Sequence, residues 1–232
     1  MSSAGGGLRD RSSPGRQAFE IRRVPAALTQ GELFEGASEL PEGMRYVREL
    51  LCADEEQALI EELRALPFKE FEFHGFLGRR RVLSFGWRYD FNGGGLQETA
   101  ALPVFLLPVR ERAARFAGLE PASLEHALLI EYAPGAGIGW HRDRPDFEDV
   151  IGISLRSPCT FRLRRRTGAR WERLSISAEP RSAYLLRGPS RSEWAHSIPP
   201  LQTLRYSITF RSLAPCARRR GPRAPAAAPV ER

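Results

Sequence analysis

The second half of the chain is divided into short segments that have the composition and periodicity of β-strands. Glycine or proline punctuates the turns between them. Short strands at regular spacing, separated by such turns, are typical of antiparallel sandwiches and barrels. The segments are 126–132, 150–155, 160–165, 170–177, 183–187 and 203–211. The sequence therefore predicts a core of the jelly-roll type.

Two helices are expected ahead of this strand-rich region. Residues 53–66 place Leu59 and Leu63 at helical spacing, and acidic residues fill the first turn, where they favour the helix dipole. Residues 103–117 predict a second helix, which Pro108 kinks or restarts. The expected fold class is therefore α+β, a double-stranded β-helix (jelly-roll) core with flanking N-terminal helices.

The ends of the chain differ in composition from its middle. We expect residues 1–24 to be a flexible tail, residues 25–213 to be one domain, and residues 214–232 to be a basic, Pro/Ala-rich disordered tail. No apolar run approaches the ~20 residues that cross a bilayer, and the N-terminus lacks the apolar stretch of a secretory signal. The expectation is a cytoplasmic monomer with no membrane attachment.

Cysteine usage and net charge restrict the partners of the chain. Cys52, Cys159 and Cys216 are widely separated and odd in number, which indicates neither a disulfide framework nor a zinc site, and suits a reducing cytosol. A net charge of +7 allows an anionic partner such as nucleic acid. A compositional bias toward arginine would produce the same charge without such a partner.

The most informative polar residues lie in the stretch YAPGAGIGWHRD, from Tyr132 to Asp143. Residues two apart on an extended segment point the same way, so His141 and Asp143 can reach one ion. Two histidines and one carboxylate are the protein ligands of a mononuclear non-haem Fe(II) oxygenase. His196, one of four histidines in the chain, is a candidate for the remaining ligand. The ordinary alternative for such a triplet is a surface turn with a solvated aspartate.

The run RYSITFR, which follows His196, favours the metal site over that alternative. On a strand, one of its faces is polar and carries Arg205, Ser207, Thr209 and Arg211. The two arginines are about 20 Å apart at Cα. Their side chains could converge on the two ends of a small dicarboxylate, because a guanidinium matches a carboxylate bidentately. The alternative is an edge strand with two solvated arginines.

The order of these motifs resembles that of the AlkB-type Fe(II)- and 2-oxoglutarate-dependent dioxygenases. The resemblance covers roughly residues 132–213 and extends more weakly back to about residue 45. It implies Fe(II) as cofactor, with 2-oxoglutarate and O₂ as cosubstrates. It also implies that the catalytic iron is held by three side chains, those of His141, Asp143 and His196.

The same resemblance implies a site for 2-oxoglutarate. Tyr132 and Arg205 would hold its distal carboxylate, and Arg211 would lie near its metal-chelating end. The chain departs from the family pattern at three positions. Ile130 stands where the family commonly has an asparagine that hydrogen-bonds the cosubstrate, so one expected hydrogen bond is removed. Ser207, a shorter polar residue, stands where an asparagine often follows the first strand arginine. Pro145 stands where some base-repair members carry an aspartate.

Aromatic and arginine residues alternate between Phe68 and Phe91, which predicts two strands paired through Leu77–Gly78 and its neighbours. Such interleaving suits base stacking and phosphate contact. In AlkB-type proteins the corresponding hairpin is a substrate lid. The candidate substrate-binding residues are Phe73, His74, Trp87 and Tyr89. The alternative is a hairpin whose aromatic face belongs to the core.

A second basic group lies on the strand predicted at 160–165, whose Arg162, Arg164 and Arg166 would share a face. This face is either turned toward an anionic substrate or is a solvated hairpin. The leading functional expectation is oxidative demethylation or dealkylation of alkylated nucleic acid, as in DNA or RNA repair, with the target base single-stranded or flipped. The alternatives are the same chemistry on a protein or small molecule, and a non-catalytic jelly-roll binding protein.

Overall fold

The structure is a computed structural model that describes residues 39–220, apart from His74 and Gly93. Within this part of the chain there are four α-helices, α1 (Ala53–Arg64), α2 (Leu107–Ala117), α3 (Pro189–Ser192) and α4 (Pro215–Arg220). The strands are β1 (Met44–Val47), β2 (Lys69–Phe73), β3 (Phe76–Phe85), β4 (Trp87–Asp90), β5 (Gly95–Glu98), β6 (His126–Tyr132), β7 (Ile138–His141), β8 (Phe147–Leu155), β9 (Cys159–Thr167), β10 (Arg170–Ala178), β11 (Ala183–Leu186), β12 (Ala195–Ile198) and β13 (Arg205–Leu213).

Two antiparallel sheets form the body of the fold. The larger has seven strands in the order β1-β11-β8-β13-β6-β3-β2, and the smaller has four in the order β10-β9-β12-β7. Strands β4 and β5 pair separately as a hairpin. Neighbouring strands of the larger sheet are mostly distant along the chain, as in a jelly roll. The predicted α+β class with a jelly-roll core is confirmed.

The larger sheet buries apolar side chains on both of its faces. One face packs against α1 and α2, where Leu63, Ala113 and Ile153 belong to a single core. The other face packs toward the smaller sheet, where Ile130 and Phe161 belong to a second core. The predicted helices are confirmed, with α1 ending two residues earlier than expected, and Pro108 restarts a helix after a 3-10 turn at Val104–Leu106.

Strand β13 lies in the middle of the larger sheet, between β8 and β6. Its apolar residues Tyr206, Ile208 and Phe210 enter the core beside the helices. Because successive side chains alternate, Arg205 and Arg211 face the smaller sheet. Every residue of β13 is buried, so the alternative of an edge strand with solvated arginines is wrong.

The two strands that carry the histidines, β7 and β12, were not predicted from the sequence. Each has four residues, too few for a periodic pattern. They pair with His196 opposite His141 and Ile198 opposite Ile138, and the register shifts between these pairs. This β-bulge lets Ile138 and His141 share the inner face although they are three residues apart. Trp140 is left on the outer face.

The aromatic hairpin was predicted with its turn in the wrong place. Phe73 pairs with Phe76, so the reversal falls between these two residues and Leu77 and Gly78 lie within β3. The second predicted strand is divided at Gly86, which has φ of +73°. A Cβ atom at Gly86 would lie 1.9 Å from the carbonyl oxygen of Glu125, so only glycine permits this approach.

The predicted tail at 214–232 begins too early. Residues 215–220 form α4, in which Ala217 is 3% exposed and packs in one cluster with Phe147 and Leu213. Arg218 also pairs with Glu125. The remainder of this tail, and the predicted start of the domain at residue 25, lie outside the described residues. None of the helices between residues 39 and 220 has the length and apolar content that a bilayer crossing requires.

Candidate iron and cosubstrate site

Three of the sequence-predicted donors meet at the edge of the smaller sheet. His141 on β7 and His196 on β12 are cross-strand partners, and their ring centroids are 4.2 Å apart. Asp143 lies two residues beyond the end of β7. Its Oδ2 atom is 3.7 Å from Nε2 of His196. The strand pairing therefore places two imidazoles and one carboxylate together, as the sequence predicted.

The ring of His141 is oriented by its own backbone. Its Nδ1 atom is 2.9 Å from the carbonyl oxygen of Gly139, so Nδ1 carries the proton and donates it. Nε2 then keeps its lone pair free for a metal ion, as a backbone contact of this kind ensures in metal sites. The ring of His196 stacks on Phe161, with centroids 5.3 Å apart.

Asp143 is fixed by Arg211. Its Oδ1 atom accepts hydrogen bonds from Nε and Nη2 of Arg211 at 3.1 and 2.7 Å, whereas its buried Oδ2 atom has no hydrogen-bond partner among the described residues. Burial alone raises the pKa of Asp143, but Arg211 and then the two histidines lower it by more. The pKa therefore lies well below its ordinary range, and Asp143 is a carboxylate at neutral pH.

Both histidines are neutral at physiological pH. Burial, and then the neighbouring His141, lower the pKa of His196 to about 3. Burial is also the main cause of the lowered pKa of His141. A metal ion requires the neutral imidazole, so neither ring has to lose a proton before it binds.

The three donor side chains lie close together, but their arrangement is not yet that of a metal coordination sphere. Within the described part of the chain, no three His, Cys, Asp or Glu side chains already have the spacing that a bound ion imposes. The unpaired Oδ2 of Asp143 and the two Nε2 atoms are nevertheless a donor set that suits Fe(II).

Arg205 lies at the opposite end of β13 and is buried without a carboxylate. It is 1% exposed, its Nε donates to Oγ of Ser154 at 3.1 Å, and its Nη1 has no partner among the described residues. The guanidinium carbon lies 5.1 Å from the ring centre of Tyr132, its cross-strand neighbour. A buried charge without a counterion is costly. Arg205 and Tyr132 therefore fit the carboxylate of an anionic ligand.

Tyr132 contributes a hydroxyl proton. Burial raises its pKa above the ordinary value, although Arg205 and Arg80 oppose the shift. It is therefore a neutral donor at physiological pH. The family-pattern departures Ile130 and Ser207 are cross-strand neighbours in the next layer of the same wall, and both are buried. Ile130 offers no side-chain donor, whereas Ser207 keeps a side-chain hydrogen bond with Tyr132.

Sequence reasoning missed three residues that support the site. His126 is the cross-strand partner of Arg211, and its Nδ1 is 3.4 Å from Nη1 of that arginine. Arg191 donates to the carbonyl oxygens of Arg144 and Phe147 and so fixes the loop after Asp143. The contact of His126 with Arg211 follows only from the pairing of β6 with β13. Nothing in the local sequence distinguishes Arg191 from the other arginines of the chain.

The third missed residue is Arg80 on β3. It faces Tyr132 and His141 closely enough to perturb the pKa of both, and burial lowers its own pKa. Its guanidinium carbon lies 3.7 Å from the ring centre of Phe71. The hairpin β2–β3 therefore brings an aromatic and a cation to the site.

The predicted substrate-binding residues have different surroundings. Tyr89 lies beside Arg144, whose guanidinium carbon is 4.4 Å from its ring centre, so it borders the loop that follows Asp143. Trp87 packs against a small core cluster that contains Phe147. His74 lies outside the described residues, as does the side chain of Phe73.

Comparison with known families identifies the chain. The model of the 2OG-Fe(II) oxygenase superfamily matches residues 43–211, and the chain belongs to this family. Within it, the chain is an AlkB-type oxygenase. It is 28% identical over 200 residues to the Arabidopsis thaliana alkylated DNA repair protein ALKBH8 homolog. It is 27% identical over 185 residues to the mouse tRNA (carboxymethyluridine(34)-5-O)-methyltransferase ALKBH8.

Each match covers 76% of this chain, but only 54% of the Arabidopsis protein and 27% of the mouse protein. The chain thus spans about half or less of these relatives. Among solved structures, OsALKBH1 has a TM-score of 0.62 at 16% identity, covering 75% of this chain and 99% of that one. A Pseudomonas putida prolyl-4-hydroxylase has a TM-score of 0.51 at 16% identity, covering 74% and 93%. These structures share the fold.

Membership of the family establishes the class of reaction and its small molecules. The chain is an Fe(II)- and 2-oxoglutarate-dependent dioxygenase, an oxidoreductase that uses O₂ as its other cosubstrate. The alternative of a non-catalytic jelly-roll binding protein is therefore set aside.

Proposed function

We propose that His141, Asp143 and His196 hold the Fe(II) ion and that Arg205 and Tyr132 hold the distal carboxylate of 2-oxoglutarate. One observation carries this assignment. Among the buried polar atoms that have no hydrogen-bond partner in the described residues are Nη1 of Arg205 and Oδ2 of Asp143. An anionic cosubstrate and a cation would satisfy both groups.

The iron, with 2-oxoglutarate and O₂, supplies the oxidation of a C–H bond, and a hydroxylated N-methyl group then breaks down to formaldehyde and the free amine. The chain supplies position and protonation state. Arg211 keeps Asp143 ionised and directs Oδ2 away from itself. Gly139 holds the His141 tautomer. The apolar wall at Ile130 keeps water from the cosubstrate.

The proposed substrate is an alkylated or otherwise modified base in nucleic acid. The rim of the site supports this substrate, because aromatic rings alternate there with arginines: Arg80 lies over Phe71, and Arg144 over Tyr89. Such pairs offer a stacking surface for a base and cations for its phosphates. A base would reach the iron only when single-stranded or flipped. The names of the relatives refer to alkylated DNA and to tRNA, which agrees with this class.

The test is succinate formation by the purified chain with Fe(II), 2-oxoglutarate and ascorbate. We expect N-methylated or wobble-uridine-modified single-stranded oligonucleotides to stimulate it over unmodified strands, and His196→Ala to abolish it. A control is Glu148→Ala, because Glu148 is an exposed residue of β8 and lies outside the three donors. Stimulation by methylated peptides or metabolites, and not by any oligonucleotide, would reject the nucleic-acid substrate and favour the same chemistry on a protein or small molecule. Pro145, which stands where some base-repair members carry an aspartate, supports that alternative.

A further inference from the structure

The outer face of the smaller sheet carries a ladder of tryptophan and arginine side chains. We call it the Arg–Trp face, and it consists of Trp140, Arg162, Arg164, Arg166, Trp171 and Arg173. Strand alternation determines its members. On β9 and β10, Arg166 pairs with Trp171 and Arg164 with Arg173, so these side chains project on the same side. Phe161 and Leu163 project on the other side, into the core.

Small residues on the intervening strand close the ladder. β12 lies between β9 and β7, with Ala195 opposite Arg164 and Ser197 opposite Arg162. Ser197 is buried, and its Oγ accepts a hydrogen bond from Nε of Arg162 at 3.0 Å. Trp140 on β7 contacts Arg162 and Arg164 of β9 across this strand.

The guanidinium groups and indole rings alternate in contact. Arg164 lies 4.2 Å from the ring of Trp140 and 4.6 Å from that of Trp171, so it stands between the two indoles. Arg162 is 5.1 Å from Trp140, and Arg166 is 5.9 Å from Trp171. These are cation–π distances. The face is therefore a preorganised row of alternating cations and aromatic planes.

The face carries positive charge that no carboxylate neutralises. Its residues on β9 and β10 include no aspartate or glutamate, and its arginines form no ion pair with any residue that the structure describes. Arg165, on the opposite face of β9, is different, since it pairs with Glu172 and Glu193 at 2.7 and 3.2 Å. Acidic partners therefore lie on the Arg165 side of this hairpin and not on the side that forms the Arg–Trp face.

The face also begins next to the iron site. Trp140 directly precedes His141 on β7, the edge strand of the smaller sheet, and the two side chains lie on opposite faces. A strand of nucleic acid on the outer face would need to pass only one edge strand to bring a nucleotide toward the histidines.

We propose that the Arg–Trp face binds the segment of single-stranded nucleic acid that flanks the nucleotide in the active site. This inference rests on the proposed function. Unpaired bases would stack on Trp171, which is 40% exposed, and phosphates would contact the arginines. Alternating cations and aromatic planes fit a single strand, because every base presents a stacking face once it is unpaired. A duplex hides those faces and would contact the arginines alone.

The test measures the polarisation of a fluorescein-labelled, unmodified twelve-nucleotide RNA at several salt concentrations. Trp171→Leu weakens binding about tenfold and leaves the salt dependence unchanged, because it removes one stacking surface. Arg173→Ser lowers the slope of log affinity against log salt by about 0.7, the loss of one phosphate contact to a single strand. The matched control Arg115→Ser removes an exposed arginine of α2 and leaves affinity and slope unchanged.

Turnover of a modified oligonucleotide separates this inference from the proposed function. In Trp171→Leu, the KM for a twelve-nucleotide substrate rises about tenfold, while kcat and the KM for a trinucleotide stay at wild-type values. If both variants bind and turn over the long strand like wild type, the proposed binding of nucleic acid by the Arg–Trp face is rejected and the proposed function stands. Equal losses on single strands and duplexes would also reject the proposed single-strand binding. If the wild type neither binds nor oxidises nucleic acid, both proposals fail.

Discussion

The two arginines of β13 lie on one face of one strand but in opposite electrostatic situations. Arg211 is paired with the Asp143 carboxylate through two nitrogens and neighbours His126. Arg205 is more deeply buried, at 1% exposure. It donates to a serine hydroxyl and lies against a tyrosine ring, and it forms no ion pair with a carboxylate of the described residues. Sequence pattern alone treats the two as equivalent.

The difference separates a residue that maintains the protein from one that is prepared for a ligand. A buried pair that loses one partner leaves an uncompensated charge, whereas an unpaired buried cation is a cost that the fold already bears. Arg211 therefore contributes to stability and orients Asp143. Arg205 reduces stability and is expected to be retained for the anion that it binds.

The largest expected effect is on the stability of the metal-free protein. Arg211→Met leaves Asp143 buried and unpaired, and we expect it to lower the free energy of unfolding by about 3–5 kcal/mol. Arg205→Met replaces an uncompensated cation by an apolar chain of similar length, so its stability is unchanged or higher. Urea denaturation in the presence of a chelator measures both variants. Equal losses in the two variants would remove the distinction between the two arginines.

The second effect concerns 2-oxoglutarate. Arg205→Met is expected to weaken its binding about 100-fold, because a charged bond to a buried carboxylate is lost. Thermal stabilisation of the protein by added 2-oxoglutarate, with Mn(II) in place of iron, reports this affinity. The control is Arg81→Met, since Arg81 lies on β3, two strands away from β13, and pairs with Glu131 on the other face of the sheet. A wild-type affinity in Arg205→Met would place the carboxylate elsewhere.

The third effect is the pH dependence of the stability gap between wild type and Arg211→Met. Asp143 has a lowered pKa in the folded protein, so its contribution to stability is present above the unfolded pKa of about 4 and is lost as the pH falls. We expect the gap to be full near pH 7. It narrows as the pH falls through the pKa that Asp143 has in Arg211→Met, where burial raises that pKa and Arg211 no longer lowers it. Urea midpoints collected between pH 7 and pH 3 follow it, and a gap that does not change with pH would show that Asp143 is not its source.

The smallest expected effect concerns Ser154, the hydrogen-bond partner of Arg205. Ser154 accepts the hydrogen bond from Nε of Arg205, so it positions the guanidinium without touching the reacting atoms. We expect Ser154→Ala to raise the dissociation constant for 2-oxoglutarate about fivefold, the loss of one ordinary hydrogen bond, and to leave kcat unchanged. Ser154→Thr keeps the hydroxyl and should restore the affinity. Failure of the threonine to do so would indicate a packing defect.

Strand periodicity predicted the parts of the fold and site that have long elements. The alternation in β13 placed its arginines together on one face, and the motif order placed His141, Asp143 and His196 in one site, where the structure also brings them together. Long segments succeed because two-residue periodicity decides which face is buried.

The rest depends on contacts that local sequence does not encode. The pair formed by Arg211 and Asp143 joins residues 68 apart in the chain. The reversal between Phe73 and Phe76 was predicted too far along the chain, because the aromatic alternation continues through this region. The bulge between β7 and β12 turns Trp140 outward, and no local signal announces it. The ladder on the Arg–Trp face became visible only when the register of β9 and β10 was known.

The most direct test of the central assignment is an anaerobic titration of Fe(II) and 2-oxoglutarate, followed by the visible absorption band of their complex. We predict a band for wild type, no band for His196→Ala at any concentration, and a full band for Arg205→Met only at about 100-fold more 2-oxoglutarate. This pattern would assign the imidazole to the metal and the guanidinium to the distal carboxylate. A wild-type band in His196→Ala, or an unchanged titration in Arg205→Met, would contradict the assignment.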